Sequence, residues 1–580
     1  MLLSAALWLA LAPAPSAWSA PGPSSVERTL ARLTTRQQAG QLLVVAVDTG
    51  IARADESMIR GGLIGGGLLR WDRFTGRQAR RFSARMREWT RGLGVGFLLA
   101  ADQEGGALFT QRLYGGAPFP GNMALGAAGD PALARRAAYA SGRELAALGI
   151  QADFAPDVDV NDNPDNPVIG VRSFGENPRQ VAALGAAAIK GYLAAGVMPA
   201  AKHFPGHGNT SVDSHKGLPV LSEPLAAWRR TELPPFIAAV RARAPMIMTA
   251  HIVVSALDPA SPATLSSAAI EGALRGGLGY GGVVVSDSLD MGAIANSYGE
   301  PEAAVRALLA GCDLLLLGKS DPRPVLDAIV AAARSGRLPR RRLLDAVRRV
   351  LRLKRRAGLL GPGRRLPPLR LVGSPAHRRL ARRIAERGIT LLRDRAGKLP
   401  LRLTPRQSLA LVVFRPARYH EEALRLIREL ARRQRRLTAL ELSPWPSAAE
   451  LKRAFRAAGA ADTVVLGAFE SGGLDDSVQV ALFERLRRAG RRPIVLSLMS
   501  PYDLSRFSRA GTMLCAYGMT DSMMEAVARL LFGEIRPRGR LPVTIPGVAA
   551  AGAGLSAFRG RAAAPAASAG NSAPARGSRP

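Results

Sequence analysis

Between residue 26 and about residue 360 the chain alternates a short apolar run with a stretch of helical periodicity eight times, and nothing else in it restricts the fold so much. The runs are LLVVAVD ending at Asp48, GGLLRWD at Asp72, GFLLAAD at Asp102, ADFAPDVD at Asp159, VMPAAKH at His203, PMIMTAH at His251, GGVVVSD at Asp287 and CDLLLLG at Gly318. Strands joined through helices must run parallel, because a hairpin turn cannot return the chain to the same end of the sheet. Eight such units predict a closed (β/α)8 barrel of the TIM type.

Seven of the eight runs end in Asp or His. In a barrel of this kind the loops after the strands converge on one rim, so those residues are expected to form a single polar ring there. An Asp after a strand also caps the next helix or starts a turn. That accounts for Asp48 and Asp72 but strains to explain all seven.

The stretch 339–363 reads as the closing amphipathic helix, ended by Gly and Pro, and residues 361–375 as a linker containing LPPLRLVGSP. Residues 376–547 resume the alternation with LALVVF, DTVVLGAF, RPIVLSL and GTMLCAY, which predicts a smaller α/β sandwich domain. The fold class expected is therefore α/β, a barrel over 26–360 followed by that sandwich. Residues 548–580 are mostly Ala, Gly, Ser, Pro and Arg and read as a disordered tail. Residues 1–20 combine an apolar stretch with small residues at Ala17 to Ala20, the pattern of a cleaved signal peptide, so the protein is expected to be exported, periplasmic or extracellular.

With 80 Lys and Arg against 45 Asp and Glu the formal charge is +35, which raises a polyanion as a partner. The excess lies in runs such as Arg340 to Arg342, Arg355 to Arg356 and Arg432 to Arg436, interleaved with Leu, Ala and Val as on solvated helix faces. No aromatic interleaving accompanies them, so specific nucleic-acid binding is not expected, while loose association with an anionic cell wall stays open. Cys312 and Cys515 are far apart and sit in apolar runs, so neither a disulfide framework nor a cysteine metal quartet can form.

The densest chemistry is KHFPGHGNTSVDSHKGLPV, residues 202–220, directly after the fifth run. His203, His207, Asp213 and His215 offer metal-type donors, but their spacing matches no standard zinc motif. The other reading pairs Asp213 with His215, two residues apart, so that the carboxylate orients the imidazole and raises its basicity for proton transfer.

This segment resembles the signature of glycoside hydrolase family 3, in its bacterial β-N-acetylglucosaminidase branch, matching K-H-F-P-G-H-G-x-T-x-x-D-S-H without a break. DQEGG at 102–106, DFAPDVDVN at 153–161, RSFG at 172–175, the AH at 250–251, PATLS at 262–266 and VSDSLDM at 285–291 agree with it. In the second domain GITLLRD at 388–394 and LLFGEIRPRGRLPVTIP at 530–546 do the same. The resemblance implies that Asp287 is the nucleophile, His215 the acid/base and Asp213 its orienting partner. It implies that Asp102, Arg172, Lys202 and His203 hold the sugar, and that Asp290 stabilises the helix after Asp287. It implies no cofactor and no metal.

Two departures stand out. ALFTQRL follows DQEGG, making Arg112 a displaced candidate for the family's usual sugar-binding arginine, and Val171 stands where the family has an acidic residue before Arg172. The activity implied is release of terminal β-linked N-acetylglucosamine from carbohydrate substrates, muropeptides or other glycans, by double displacement with retention. The alternatives are a family 3 β-glucosidase or β-xylosidase, in which the DSH element has no role, and a non-catalytic cell-wall-binding protein.

Overall fold

The structure is a computed structural model and describes residues 23–48, 53–69, 74–106, 113–361, 363–469 and 477–558. Eight strands close a parallel barrel: β1 Leu43–Val47, β2 Gly66–Leu69, β3 Leu98–Ala101, β4 Ala152–Asp153, β5 Met198–Phe204, β6 Met246–Thr249, β7 Val283–Ser288 and β8 Leu314–Leu316. Each pairs with the next, and β8 returns to β1 through Leu43 opposite Leu315. Helices cover the outside while side chains fill the inside, so both faces of these strands are buried. That is why they read as unbroken apolar runs rather than alternating ones.

The connecting helices begin and end where the sequence places its caps. Asp130 accepts from the Ala132 and Leu133 amides ahead of Pro131–Leu148, and left-handed Gly149 ends that helix. Asn177, Pro178 and Gly196 repeat the arrangement around Pro178–Ala195. The closing helix is Arg340–Arg356, shorter than the 339–363 expected, because Ala357 and left-handed Gly358 stop it first. Within it Lys354 is buried, its ammonium hydrogen-bonded to Gln41 Oε1 and Gly65 O, both at 2.6 Å.

The second domain is a six-stranded sheet of β9 Thr390–Asp394, β10 Leu409–Phe414, β11 Leu437–Leu442, β12 Thr463–Ala468, β13 Ile494–Ser497 and β14 Thr512–Cys515. The order is β9-β14-β13-β12-β10-β11, with only β9 antiparallel to its neighbour. Cys312 and Cys515 are both free and buried, one in each domain.

The sequence-based end of this domain needs correction. Residues 548–558 do not belong to a disordered tail: Leu555 N donates to Leu391 O, Gly552 N to Leu541 O, and Phe558 is buried in the second core. Two apolar side chains with a core to enter outweigh the Ala- and Gly-rich composition around them. The leader, Asp72, Arg112 and residues 559–580 lie outside the described residues.

The domains meet along the loop between β4 and the helix Pro178–Ala195. Glu176 N donates to Pro542 O at 3.0 Å, and the Glu176 carboxylate accepts from the Thr544 amide and hydroxyl at 2.6 and 2.8 Å. Gly175 has φ +145, and a Cβ there would stand 2.5 Å from Pro542 O, so this contact demands glycine.

Candidate active site

At the C-terminal rim of the barrel a pocket of about 350 Å³ is lined by Asp102, Arg172, Lys202, His203, His215 and Asp287, among others. The volume lies within the range of small-molecule sites. Asp102 directly follows β3 and His203 lies inside β5, one residue before its end, while Asp287 lies inside β7. The fourth run departs from expectation. Its strand stops at Asp153, and Asp159 stands six residues further on, since Pro156 has no amide to extend the ladder.

The floor of the pocket is a buried charge network. The Arg172 guanidinium forks onto Glu104, with Nε to Oε2 at 2.9 Å and Nη2 to Oε1 at 2.8 Å, and Lys202 Nζ reaches the same carboxylate at 2.7 Å. Lys202 Nζ also donates to Asp102 Oδ1 at 3.2 Å. Burial opposes ionisation of Glu104, yet the two cations more than offset it and draw its pKa to about 2. Burial likewise opposes the charges on Arg172 and Lys202, and Glu104 reverses that for both, raising them above their ordinary values.

Asp159 organises the neighbouring imidazoles. Its carboxylate accepts from His203 Nδ1 at 2.7 Å, from His203 N at 3.1 Å and from His207 N at 2.8 Å. Burial works against its charge, but His203 and His207 hold it to about 2. With Nδ1–H given to Asp159, His203 Nε2 is left to accept from Arg172 Nη2 at 3.3 Å. The adjacent Asp157 is pushed well above the usual carboxylate range by burial and by the charge of Asp159. Asp157, Asp159 and His203 approach one another closely enough to resemble a metal triad. Arg172 Nε stands 3.7 Å from Asp157, and the Asp159–His203 hydrogen bond occupies the donors a cation would need, so these residues fit a hydrogen-bonded cluster better than a metal site.

Asp287 accepts from the Ser288 amide at 2.7 Å. Burial would raise its pKa, but His203, His251 and that amide hold it below its ordinary value, which favours the ionised carboxylate. His251, buried and depressed by burial, donates Nε2–H to Ser288 O at 2.9 Å, and its Nδ1 stands 2.8 Å from Thr264 Oγ1. It therefore props the strand end that carries Asp287.

Asp213 and His215 form a pair on the long loop after β5. Asp213 Oδ1 lies 2.8 Å from His215 Nδ1 and also accepts the His215 main-chain amide at 2.9 Å. Burial acts against the Asp213 charge, and the two bonds from His215 reverse this and lower its pKa. Asp213 thus holds Nδ1 of His215, and Nε2 is the other ring nitrogen that can carry a proton.

One sequence-based role changes. Asp290 does not cap the following helix, Gly292–Tyr298, whose N-cap Met291 offers no side-chain bond. It instead accepts the Ser288 hydroxyl at 2.6 Å and the Lys319 amide at 3.1 Å, tying β7 to the loop after β8. Glu104, inside DQEGG, carries no sequence signal of its own, and its place as the counterion of Arg172 and Lys202 emerges only from the fold. No position in the motif marks which acid supplies that counterion.

A parallel barrel whose rim sets an ionised carboxylate and a carboxylate–imidazole pair around a pocket of paired donors and acceptors defines a glycoside hydrolase. The chain belongs to glycosyl hydrolase family 3: residues 34–353 match its N-terminal domain and residues 317–559 its C-terminal domain. It is 33% identical over 501 residues to Beta-hexosaminidase A of Pseudoalteromonas piscicida, covering 77% of this chain and 83% of the relative. It is 38% identical over 333 residues to Beta-hexosaminidase LpqI of Mycobacterium bovis, covering 56% of this chain and 84% of that one. The solved family 3 β-N-acetylglucosaminidase of Paenibacillus sp. str. FPU-7 superposes with TM-score 0.82 at 35% identity, covering 89% of this chain and 99% of its own.

Proposed function

We infer that this hydrolase removes terminal β-linked N-acetylglucosamine with retention, Asp287 acting as nucleophile and His215 as acid/base. The observation that carries the reading is the Asp213–His215 hydrogen bond at 2.8 Å on a loop lining the same pocket as Asp287. In the first step the Asp287 carboxylate attacks the anomeric carbon while His215 Nε2 gives its proton to the departing glycosidic oxygen, leaving a glycosyl ester. In the second, neutral His215 takes a proton from water, which attacks the same carbon and frees Asp287. Asp213 favours the imidazolium that the first step uses and the second step regenerates. Asp102, Lys202, Arg172 and His203 supply donors and acceptors for the sugar's hydroxyls.

The relatives called β-hexosaminidase and β-N-acetylglucosaminidase support N-acetylglucosamine as the sugar released. A formal charge of +35 suits an anionic cell-wall substrate and loose retention on it, so peptidoglycan fragments are the favoured source. The apolar leader supports export to the periplasm or exterior. Paired nitrophenyl N-acetylglucosaminide and glucoside substrates test the sugar: the first should be hydrolysed at least about a hundredfold faster, a floor below the roughly 10⁴ to 10⁵ by which a site built to hydrogen-bond a group rejects the analogue lacking it. Equal rates would make the enzyme a broad β-glucosidase. Parallel digestion of purified muropeptides and chitobiose tests the source, and a preference for chitobiose would overturn the cell-wall assignment.

A further inference from the structure

His207 lies four residues beyond His203 in the same motif and takes no part in the chemistry above, yet both of its ring nitrogens are engaged and it is buried. Nδ1 stands 2.7 Å from Thr210 Oγ1 and Nε2 stands 2.9 Å from Ser214 Oγ. The Thr210 hydroxyl donates to the His207 carbonyl at 3.1 Å, so it has only its lone pairs to offer the ring. With the Thr210 proton on that carbonyl, Nδ1 carries the ring hydrogen and Nε2 accepts the Ser214 hydroxyl. Burial supports that neutral tautomer by lowering the His207 pKa to about 4. The ring is fixed from below as well, since the His207 amide donates to Asp159, the carboxylate that also orients His203.

Ser214 is buried and sits between Asp213 and His215 in sequence. Its carbonyl accepts from Ala293 N at 3.2 Å, and the His215 carbonyl accepts from Gly292 N at 3.1 Å. A Cβ on Gly292 would come 2.8 Å from His215 O, so that approach requires glycine. The loop bearing the acid/base is thus held at two places, the His207 ring within it and the backbone just after the Asp287 strand.

We propose that His207 is a positioning residue that sets His215 through Ser214, accepting the Ser214 hydroxyl so that the Asp213–Ser214–His215 segment stays aimed at the glycosidic oxygen. This rests on His215 being the acid/base. Misplacing that group slows substrates whose leaving oxygen needs a proton and spares those whose leaving group departs unaided.

The test compares kcat/KM on chitobiose and on the dinitrophenyl N-acetylglucosaminide for His207→Asn, His207→Gln, Ser214→Ala and His215→Ala. Asn keeps a donor near the Nδ1 position and loses the Ser214 bond, whereas Gln keeps an acceptor near Nε2. His207→Asn and Ser214→Ala should lose roughly tenfold to a hundredfold on chitobiose and less than about threefold on the aryl substrate, a fraction of the full general-acid effect. His207→Gln should recover most of the loss. Equal losses on both substrates, or Gln no better than Asn, would show that His207 merely supports folding. If His215→Ala itself shows no dependence on the leaving group, the acid/base assignment fails first and this inference with it.

Discussion

Tyr502, from the second domain, receives a hydrogen bond from the Asn161 side-chain amide at 2.9 Å, and Asn161 Oδ1 in turn accepts from Gly170 N at 2.9 Å. Gly170 opens the short turn Gly170–Arg172, so the second domain reaches Arg172, which lines the pocket, through one barrel side chain. None of the pocket residues named above comes from the second domain, and its contribution to the site is to brace this loop.

Tyr502→Phe removes only the hydroxyl and leaves the buried Asn161 amide without that partner, a cost of about 1 to 3 kcal/mol. The loop carrying Arg172 should loosen, raising KM for the nitrophenyl N-acetylglucosaminide several-fold while kcat changes less. Steady-state kinetics with a thermal melt check this. An unchanged KM would mean that the Glu176–Thr544 contact holds the loop by itself.

Glu104 is the shared counterion of two buried cations, and Glu104→Gln keeps its shape while removing its charge. Leaving Arg172 and Lys202 underpaired should cost about 3 to 5 kcal/mol, the range for breaking a buried ion pair. Calorimetry should register a lower barrel transition, and substrate affinity should fall with it. A melt at the wild-type temperature would show that Asp102, which also meets Lys202, already balances the cations.

Lys354 gives a pH dependence of known sign. Burial pushes its pKa down to about 7, whereas in the unfolded chain it titrates at about 10.4. Between those values the unfolded state binds more protons than the folded one, so this group makes stability rise with pH, by at most about 1.4 kcal/mol per unit. Below pH 7 both states are charged and its penalty is constant. Lys354→Met also loses the bonds to Gln41 and Gly65, so the informative quantity is the pH trend of the difference in melting temperature. Relative to wild type the variant should look better at pH 6 than at pH 9. A difference independent of pH would mean that the ammonium keeps its charge in place.

The barrel was legible because its strands are buried on both faces: six lie within the apolar runs read from the sequence, and β5 and β7 pass the ends of theirs by one residue, to Phe204 and Ser288. In the second domain β10, β12, β13 and β14 were legible for the same reason. β11, LTALEL, pairs only with β10 and is mostly part-exposed along its length, so its polar residues hid it. The site divided along similar lines. Asp102, His203 and Asp287 announced themselves at the ends of strands, and Asp213 with His215 by their spacing. What the sequence could not state was pairing across distance, such as Glu104 with Arg172 68 residues away, or Asn161 with Tyr502 341 residues away. The true end of the second domain was hidden too, since Leu555 and Phe558 matter only once a core exists to receive them.

The division of labour between Asp287 and His215 follows from what each step asks of the leaving group. An alkyl oxygen leaves only if protonated, but dinitrophenolate departs without help. His215→Ala should therefore lose roughly 10² to 10⁴ on natural disaccharides, the span of general acid/base catalysis, while the dinitrophenyl substrate still reacts with Asp287. Its second step then lacks a base, so glycosyl-enzyme should build up on Asp287, visible as a burst of phenolate and as an adduct by intact mass. Azide needs no base to attack, and it should restore turnover and yield the β-glycosyl azide, the retained product of two inversions. Asp287→Ala can form no ester, so it should give neither burst nor β-azide. Asp213→Asn should fall between wild type and His215→Ala on disaccharides, because it keeps the imidazole but removes the charge that favours its protonated form. If His215→Ala hydrolyses chitobiose near the wild-type rate, the proton comes from another group, and the Asp213–His215 bond serves only to shape the loop.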